Sequence, residues 1–233
     1  MSKVVILGVG PGDTGYMTLR GVDIVTQAEV VAGFKTVLAT VDKWVTGERL
    51  VMDYKNQEEM LARVGAAFRL GKRCVVCAAG DPSVSARELV ERVRRACGEV
   101  EVMPGISSIQ VAAALSGVPV EQSLFVTLHR RASIGDDVAE LAAALKENRR
   151  HVIALPRPFD LMPADIARLL VAAGVAPTRV VRVFEELTRP GQRERGFTLA
   201  ELSREQSPFS DLSVLVFSAA ARPDGSGHGA HGV

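Results

Sequence analysis

The residues of this chain that could do chemistry fall in a few short stretches, and the first of them constrains the reading most. Val9-Gly10-Pro11-Gly12-Asp13 follows directly on the apolar run Val4-Val5-Ile6-Leu7-Gly8. Glycines at 8, 10 and 12 permit a tight turn and a close backbone approach to a ligand, with no Cβ in the way. The pattern is not the dinucleotide fingerprint, because G-x-G-x-x-G needs glycine at position 13 and Asp13 stands there. Pro11 removes a backbone donor that a phosphate cradle would use, and the Asp13 carboxylate repels an anion. This loop serves something other than a pyrophosphate.

Two later stretches share its character. Ala79-Gly80-Asp81-Pro82 ends a second buried run, which places Asp81 at the C-terminal end of a strand, where open α/β sheets hold ligands. A carboxylate there can accept hydrogen bonds from an amino group or from ribose hydroxyls; the plain alternative is an N-cap for a helix starting near Ser83 or Ser85. Met103-Pro104-Gly105-Ile106-Ser107-Ser108 precedes an alanine-rich helix, and there too a cap competes with a binding role. Cys74-x-x-Cys77 has redox or zinc spacing, yet it lies inside an expected strand, where residues three apart point to opposite faces. No second ligand pair follows at finger-like distance, so no protein-bound metal is expected.

These loops need elements to carry them. The apolar periodicity predicts strands over 3–8, 29–33, 74–79 and 99–103, with helices over 16–28, 57–70, 85–96 and 109–116. That alternation argues a parallel sheet in an α/β layer architecture. Past a hinge at Gly117-Val118-Pro119, strands are expected over 123–129, 151–155, 179–185 and 213–218. Helices are expected over 136–146 and 163–173, with a short turn or helix over 198–204. The second half is richer in sheet, mixed or antiparallel. The expected division is 1–117, 118–221 and a flexible tail over 222–233, which holds His228 and His231.

A formal charge of +1 on 233 residues gives no reason to expect a nucleic-acid partner. No run approaches the roughly 18 apolar residues of a membrane span, and the N-terminus does not read as a signal peptide. Three cysteines suggest a reducing cytosol, so a cytoplasmic protein is expected.

Together with Met17-Thr18-Leu19-Arg20 and Glu185-Glu186-Leu187-Thr188-Arg189-Pro190, these stretches, in this order, resemble the tetrapyrrole (corrin and porphyrin) methyltransferases that use S-adenosylmethionine. The resemblance runs from residue 3 to about 218. Ser123–Arg130 is similar to a segment of the enzymes that methylate C5 of the corrin ring, although Arg130-Arg131 stands where a glycine would precede the arginine.

The resemblance implies a two-lobed α/β fold, a parallel-sheet N-terminal domain and a mixed-sheet C-terminal domain with the ligand cleft between them. It places S-adenosylmethionine, leaving as S-adenosylhomocysteine, against Val9, Gly80, Asp81, Val84, Ser107, Ser108, Leu155 and Val183. A carboxylate at 81 would also suit the sulfonium charge. The corrinoid substrate would face Gly10, Pro11, Gly12, Asp13, His129 and Arg130. Asp13 would orient the substrate or take a proton, with a local cap as the alternative. His129 is otherwise a structural residue at a strand end. Arg130, Arg131, Arg157 and Arg189 would give the cleft a basic rim for the ring's carboxylates.

The reaction so implied is methylation at C5 of a late corrin intermediate, of cobalt-precorrin-7 or precorrin-6B type, in cobalamin biosynthesis. The alternatives are the same chemistry at another ring position, a nicotinamide-dependent oxidoreductase, and a binding module without turnover. The family is typically homodimeric. Some C5 enzymes are fused to a methyltransferase that acts at C15 and removes a carboxyl group; such a partner is expected here as a separate chain.

Overall fold

The structure, a computed structural model, describes residues 3–129, 133–158 and 160–220. Its first half is a parallel sheet of β1 (Val4–Gly8), β2 (Val30–Phe34), β3 (Glu48–Met52), β4 (Cys74–Ala78) and β5 (Val100–Met103). The order across the sheet is β3-β2-β4-β1-β5. Helices α1 (Leu19–Gln27) and α2 (Lys35–Val41) cover one face, α3 (Gln57–Arg69) and α5 (Arg87–Cys97) the other, and α4 (Pro82–Ser85) is a single turn after β4. Because both faces are covered, the central strands β1 and β4 are buried along their whole length, which explains their uninterrupted apolar runs.

Alternation sorts the side chains. Val4, Ile6, Cys74 and Val76 pack under α3 and α5, while Val5, Leu7, Val75 and Cys77 pack under α1 and α2. The two cysteines therefore face opposite ways, as their spacing implies. Burial pushes the Cys74 thiol up to about 11 and Cys77 to about 12. Both are thiols at neutral pH and pack as small apolar groups.

The second half is a mixed sheet ordered β6-β7-β10-β8-β9. It comprises β6 (Ser123–Thr127), β7 (His151–Leu155), β8 (Val180–Glu185), β9 (Arg193–Thr198) and β10 (Ser213–Phe217). Only β6 and β7 run parallel; β10 is antiparallel to both β7 and β8, and β9 to β8. Helices α7 (Gly135–Glu147), α8 (Pro163–Ala172) and α9 (Leu199–Arg204) close one face.

The opposite face is covered by α6 (Ser108–Ser116), a helix that follows β5 in sequence. Its Val111, Ala112 and Ala113 bury against Ile153, Phe184, Val214 and Val216, and Arg182 Nη2 donates to the Leu115 carbonyl at 3.2 Å. The small residues that mark α6 in the sequence let it lie close to the sheet. Gly117, at φ 63°, ends the helix where the hinge was expected.

Several bounds differ from the sequence reading. The helix expected from residue 16 begins at Leu19, because Thr18 accepts the Gly21 amide at 3.0 Å as its cap. The helix expected over 85–96 divides at Ala86 into α4 and α5. Elements β3, α2 and β9 were not anticipated. Val183, expected to pack against adenine, points under α7 to α9, away from α6; its neighbour Phe184 faces α6. This one-residue register slip moves the side chain to the other side of the sheet. The tail from 221 and Arg130 lie outside the described residues.

At the C-terminal edge of the first sheet three glycines meet. A Cβ built on Gly105 would fall 2.5 Å from the Gly80 carbonyl oxygen and 2.6 Å from that of Gly8. One on Gly8 would fall 2.6 Å from the Gly105 nitrogen. These neighbours are backbone, which cannot rotate away. Gly105→Ala is expected to cost about 3 kcal/mol or more, lowering the melting temperature by roughly 6–12 °C. Gly196→Ala, with open space around it, should melt within about 2 °C of wild type. Equal melting of the two variants would remove this constraint from the account.

Candidate functional site

Three loops leave the C-terminal ends of β1, β4 and β5 around those glycines. Gly10 and Gly80 form an antiparallel bridge, with the Gly80 amide donating to the Gly10 carbonyl at 2.8 Å and the return bond at 3.3 Å. Both take positive φ, 82° and 60°. The Val9 amide donates to the Ala78 carbonyl at 3.0 Å, and the Val9 side chain is buried in the core under α1, so only its backbone borders the loop.

The glycine loop then meets the second lobe. The Asp13 amide donates to Thr188 Oγ1 at 3.0 Å, and the Arg189 side chain lies on Gly12, where a Cβ would fall 2.7 Å from Cγ. The loop that reaches across is itself bent sharply: Glu186 and Thr188 hold φ of 52° and 65° without being glycine. Such backbone persists only when its surroundings fix it. Here Glu185, fully buried, pairs with Arg193 at 3.1 Å and Arg195 at 3.3 Å and accepts the Ser210 amide at 2.9 Å. Leu187 anchors the tip in the layer beneath α6.

The amides of the glycine loop limit what it can hold. The amides of Val9, Gly10 and Asp13 are taken by Ala78, Gly80 and Thr188, and Pro11 has none. Only Gly12 among residues 9–13 keeps an amide without a partner among the described residues. A phosphate cradle needs several convergent amides, so the structure excludes that use of the loop. Asp13 is exposed, and its Oδ1 accepts the Gly15 amide at 2.6 Å, capping a short 3-10 turn over Thr14–Tyr16. The cap reading is thus realised, and Oδ2 has no partner among the described residues.

Asp81 behaves similarly. Its Oδ1 accepts from both the amide and the hydroxyl of Ser83 at 2.7 Å, capping α4, while Oδ2 has no partner among the described residues. Gly80 sits against Ser107, which is buried and caps α6 in a reciprocal box with Gln110 at 2.7 Å. Ser108 opens α6 half-buried and without a side-chain bond among the described residues. Val84 and Ile106 lie half-buried on the same apolar layer as Leu155, at the end of β7. The structure therefore brings Gly80, Asp81, Val84, Ser107, Ser108 and Leu155 to one border between the sheets, beside the glycine loop.

His129 follows β6 and is exposed, with its amide on Thr127 Oγ1 at 3.2 Å. Partial desolvation holds its imidazole below the ordinary 6.5, opposed by the carboxylates of Glu88 on α5 and Asp211 before β10. Arg157 is paired with Asp160 at 2.7 Å. Lys43, which sequence reasoning passed over, reaches Thr14 Oγ1 at 3.3 Å beside Asp13. It comes from the segment between α2 and β3, neither of which was anticipated.

With this geometry in place, the comparisons with known proteins fall together. The sequence profile of the Tetrapyrrole (Corrin/Porphyrin) Methylases matches residues 3–203. Siroheme synthase 1 of Yersinia enterocolitica is 32% identical over 231 residues, covering 91% of this chain and 48% of that protein. The chain thus spans about half the length of the siroheme synthases it matches. A probable cobalt-precorrin-7 C(5)-methyltransferase of Methanocaldococcus jannaschii is 28% identical over 220 residues, covering 92% of this chain and 97% of that protein. The crystal structure of uroporphyrin-III C-methyl transferase from Thermus thermophilus, complexed with S-adenosylhomocysteine, superposes with a TM-score of 0.71 at 21% identity, over 93% of this chain and 92% of that one.

Two substitutions separate the cap at 81 from any ligand role. Asp81→Ala is expected to lose about 1 kcal/mol, roughly 2–4 °C, whereas Asp81→Asn keeps an acceptor for Ser83 and melts like wild type. Calorimetry of the three proteins checks this; equal loss in both variants would mean that the charge, not the cap, stabilises the turn. At His129 the folded state prefers the neutral ring, so this contribution to stability is present above pH 6.5 and is lost as pH falls through the lowered value. Urea midpoints from pH 7.5 down to about pH 5 should fall less steeply for His129→Gln than for wild type. Parallel slopes would rule out this sheltering.

Proposed function

From the tetrapyrrole (corrin/porphyrin) methylase family, to which this chain belongs, we propose that it transfers a methyl group from S-adenosylmethionine to C5 of a late corrin intermediate of cobalt-precorrin-7 or precorrin-6B type. The observation that carries the reading is the spent set of amides in the loop Val9–Asp13. A loop unable to cradle phosphate yet stitched to the opposite lobe suits the wall of a cleft for a flat ring. It disfavours the nicotinamide alternative on the same ground. The C5 assignment draws support from the Methanocaldococcus relative, which is named for that reaction and matches over nearly its whole length.

The residues at the border between the sheets fit the adenosyl cofactor. Asp81 has a carboxylate oxygen, Oδ2, that no described residue occupies, available to an amino group, a hydroxyl or the neighbourhood of a positive charge. Ser108 supplies a hydroxyl, and Val84, Ile106 and Leu155 an apolar surface for a planar base. Bound there, the cofactor supplies an electrophilic methyl on sulfonium. Attack by an electron-rich ring carbon needs no strong base, so the work of the protein is alignment, with reacting atoms about 3–3.5 Å apart. Gly10, Pro11, Gly12 and Asp13 form the wall that orients the ring, and His129, just past β6, borders it from the other lobe. Neutral His129 can take up the proton the ring carbon releases. We read the protein as a cytoplasmic homodimer.

A second reading is methylation at another ring position. It is favoured by the siroheme synthase match, at 32% against 28% identity, and by Arg130-Arg131 standing where C5 enzymes carry glycine before the arginine.

Calorimetric titration of S-adenosylmethionine, S-adenosylhomocysteine and NADH tests the class. Micromolar binding of both adenosyl ligands is expected, with none for NADH, and Asp81→Asn should weaken it about tenfold. Binding of NADH alone would overturn the reading. Turnover assays with a late corrin intermediate and with a uroporphyrinogen then divide the two positions, and the first is expected to be consumed.

A further inference from the structure

If the loop Val9–Asp13 faces a polycarboxylate ring but has spent its amides, the ring's anionic arms must be held by side chains. Resting on the methyltransferase reading above, we propose that Lys43 and Arg189, one from each lobe, clamp substrate carboxylates from the two sides of this loop and thereby select rings rich in carboxylates.

Lys43 belongs to the 3-10 turn Asp42–Trp44 that joins α2 to β3. Its ammonium lies 4.4 Å from the centroid of the Trp44 ring and donates to Thr14 Oγ1 at 3.3 Å, one residue past Asp13. Both partners are neutral. The adjacent acid, Asp42, is occupied by Arg49 at 2.8 Å. Among the described residues no carboxylate lies within ion-pair distance of Lys43. An exposed ammonium seated on an indole face and aimed at the rim of the loop has its charge available to a ligand.

Arg189 approaches from the other side. Its backbone is fixed, the amide donating to the Glu186 carbonyl at 2.9 Å and the carbonyl accepting from Gln192 at 3.0 Å. Its side chain lies along Gly12, and Nε is buried with no hydrogen-bond acceptor among the described residues. The acid within ion-pair reach, Glu186, stands at 3.9 Å, and its Oε1 also takes the Ser210 hydroxyl. With its ion pair to Glu186 long and a quarter of its side chain exposed, the guanidinium can take an incoming carboxylate on its terminal amino groups. The two cations differ usefully: the arginine fork fixes one arm in a plane, and the lysine follows arms of varying position.

The test uses the whole chain and titrates an octacarboxylate porphyrin (uroporphyrin) and a tetracarboxylate one (coproporphyrin) by quenching of porphyrin fluorescence. S-Adenosylhomocysteine is titrated in parallel. Wild type is expected to prefer the octacarboxylate, with affinity falling as salt rises. Lys43→Gln and Arg189→Gln should each weaken it about tenfold and flatten the salt dependence. Lys43→Glu should weaken it further, Lys43→Arg should restore it, and adenosyl binding should stay within about twofold of wild type. Lys43 is exposed, so its variants decide the matter even if Arg189→Gln misfolds. Unchanged octacarboxylate affinity in Lys43→Gln and Lys43→Glu, or no preference in wild type, would overturn the clamp while adenosyl binding upholds the methyltransferase reading. Wild type that binds no adenosyl ligand would bring down that reading and the clamp with it.

Discussion

Everything at the site depends on how closely three backbones approach at the edge of the first sheet. Gly8, at the end of β1, and Gly105, just past β5, meet each other and the Gly80 carbonyl at distances no side chain could share. That contact brings the loops after these strands to one point. It also sets the bridge between Gly10 and Gly80, which uses up amides and turns the glycine loop outward. The absence of a Cβ serves packing of chain on chain here, not the approach of a ligand.

A second constraint joins the halves. Helix α6 belongs by sequence to the parallel sheet but buries its small residues on the mixed one, so the layer under it is core shared by both lobes. The loop after β8 closes the other end, with Thr188 and Arg189 resting on Gly12 and Asp13. Its left-handed turns at Glu186 and Thr188 are held by the buried Glu185 and its two arginines. A buried carboxylate is tolerable only when its charge is met, and β9 supplies both partners. A strand rich in charge thereby positions a loop at the cleft.

The legible parts of the sequence were those where burial dictates residue type. Strands β1, β4, β7 and β10 read as apolar runs because both faces are covered. The missed elements lack that signal. Strands β3 and β9 are the outer strands of their sheets; β3 carries Glu48 and Arg49, and β9 reads Arg-Glu-Arg-Gly-Phe-Thr. Helix α2 is seven residues rich in Thr and Val, which favour strands. The loops of the site were legible because glycine, proline and capping residues announce turns. Two things were not. The face on which Val183 lies depends on register, which a period-two pattern leaves open by one position. Lys43 came into view only once α2 and β3 were placed.

The central claim is a carbon methylation between two lobes, and transfer of the methyl itself tests it most directly. The protein would be incubated with S-adenosylmethionine carrying a carbon-13 methyl and a late corrin intermediate, and the product examined by NMR. The account predicts a new labelled methyl bonded to a ring carbon, at C5, together with release of S-adenosylhomocysteine. Label that stays wholly on the donor, in a protein that binds both molecules, would contradict it.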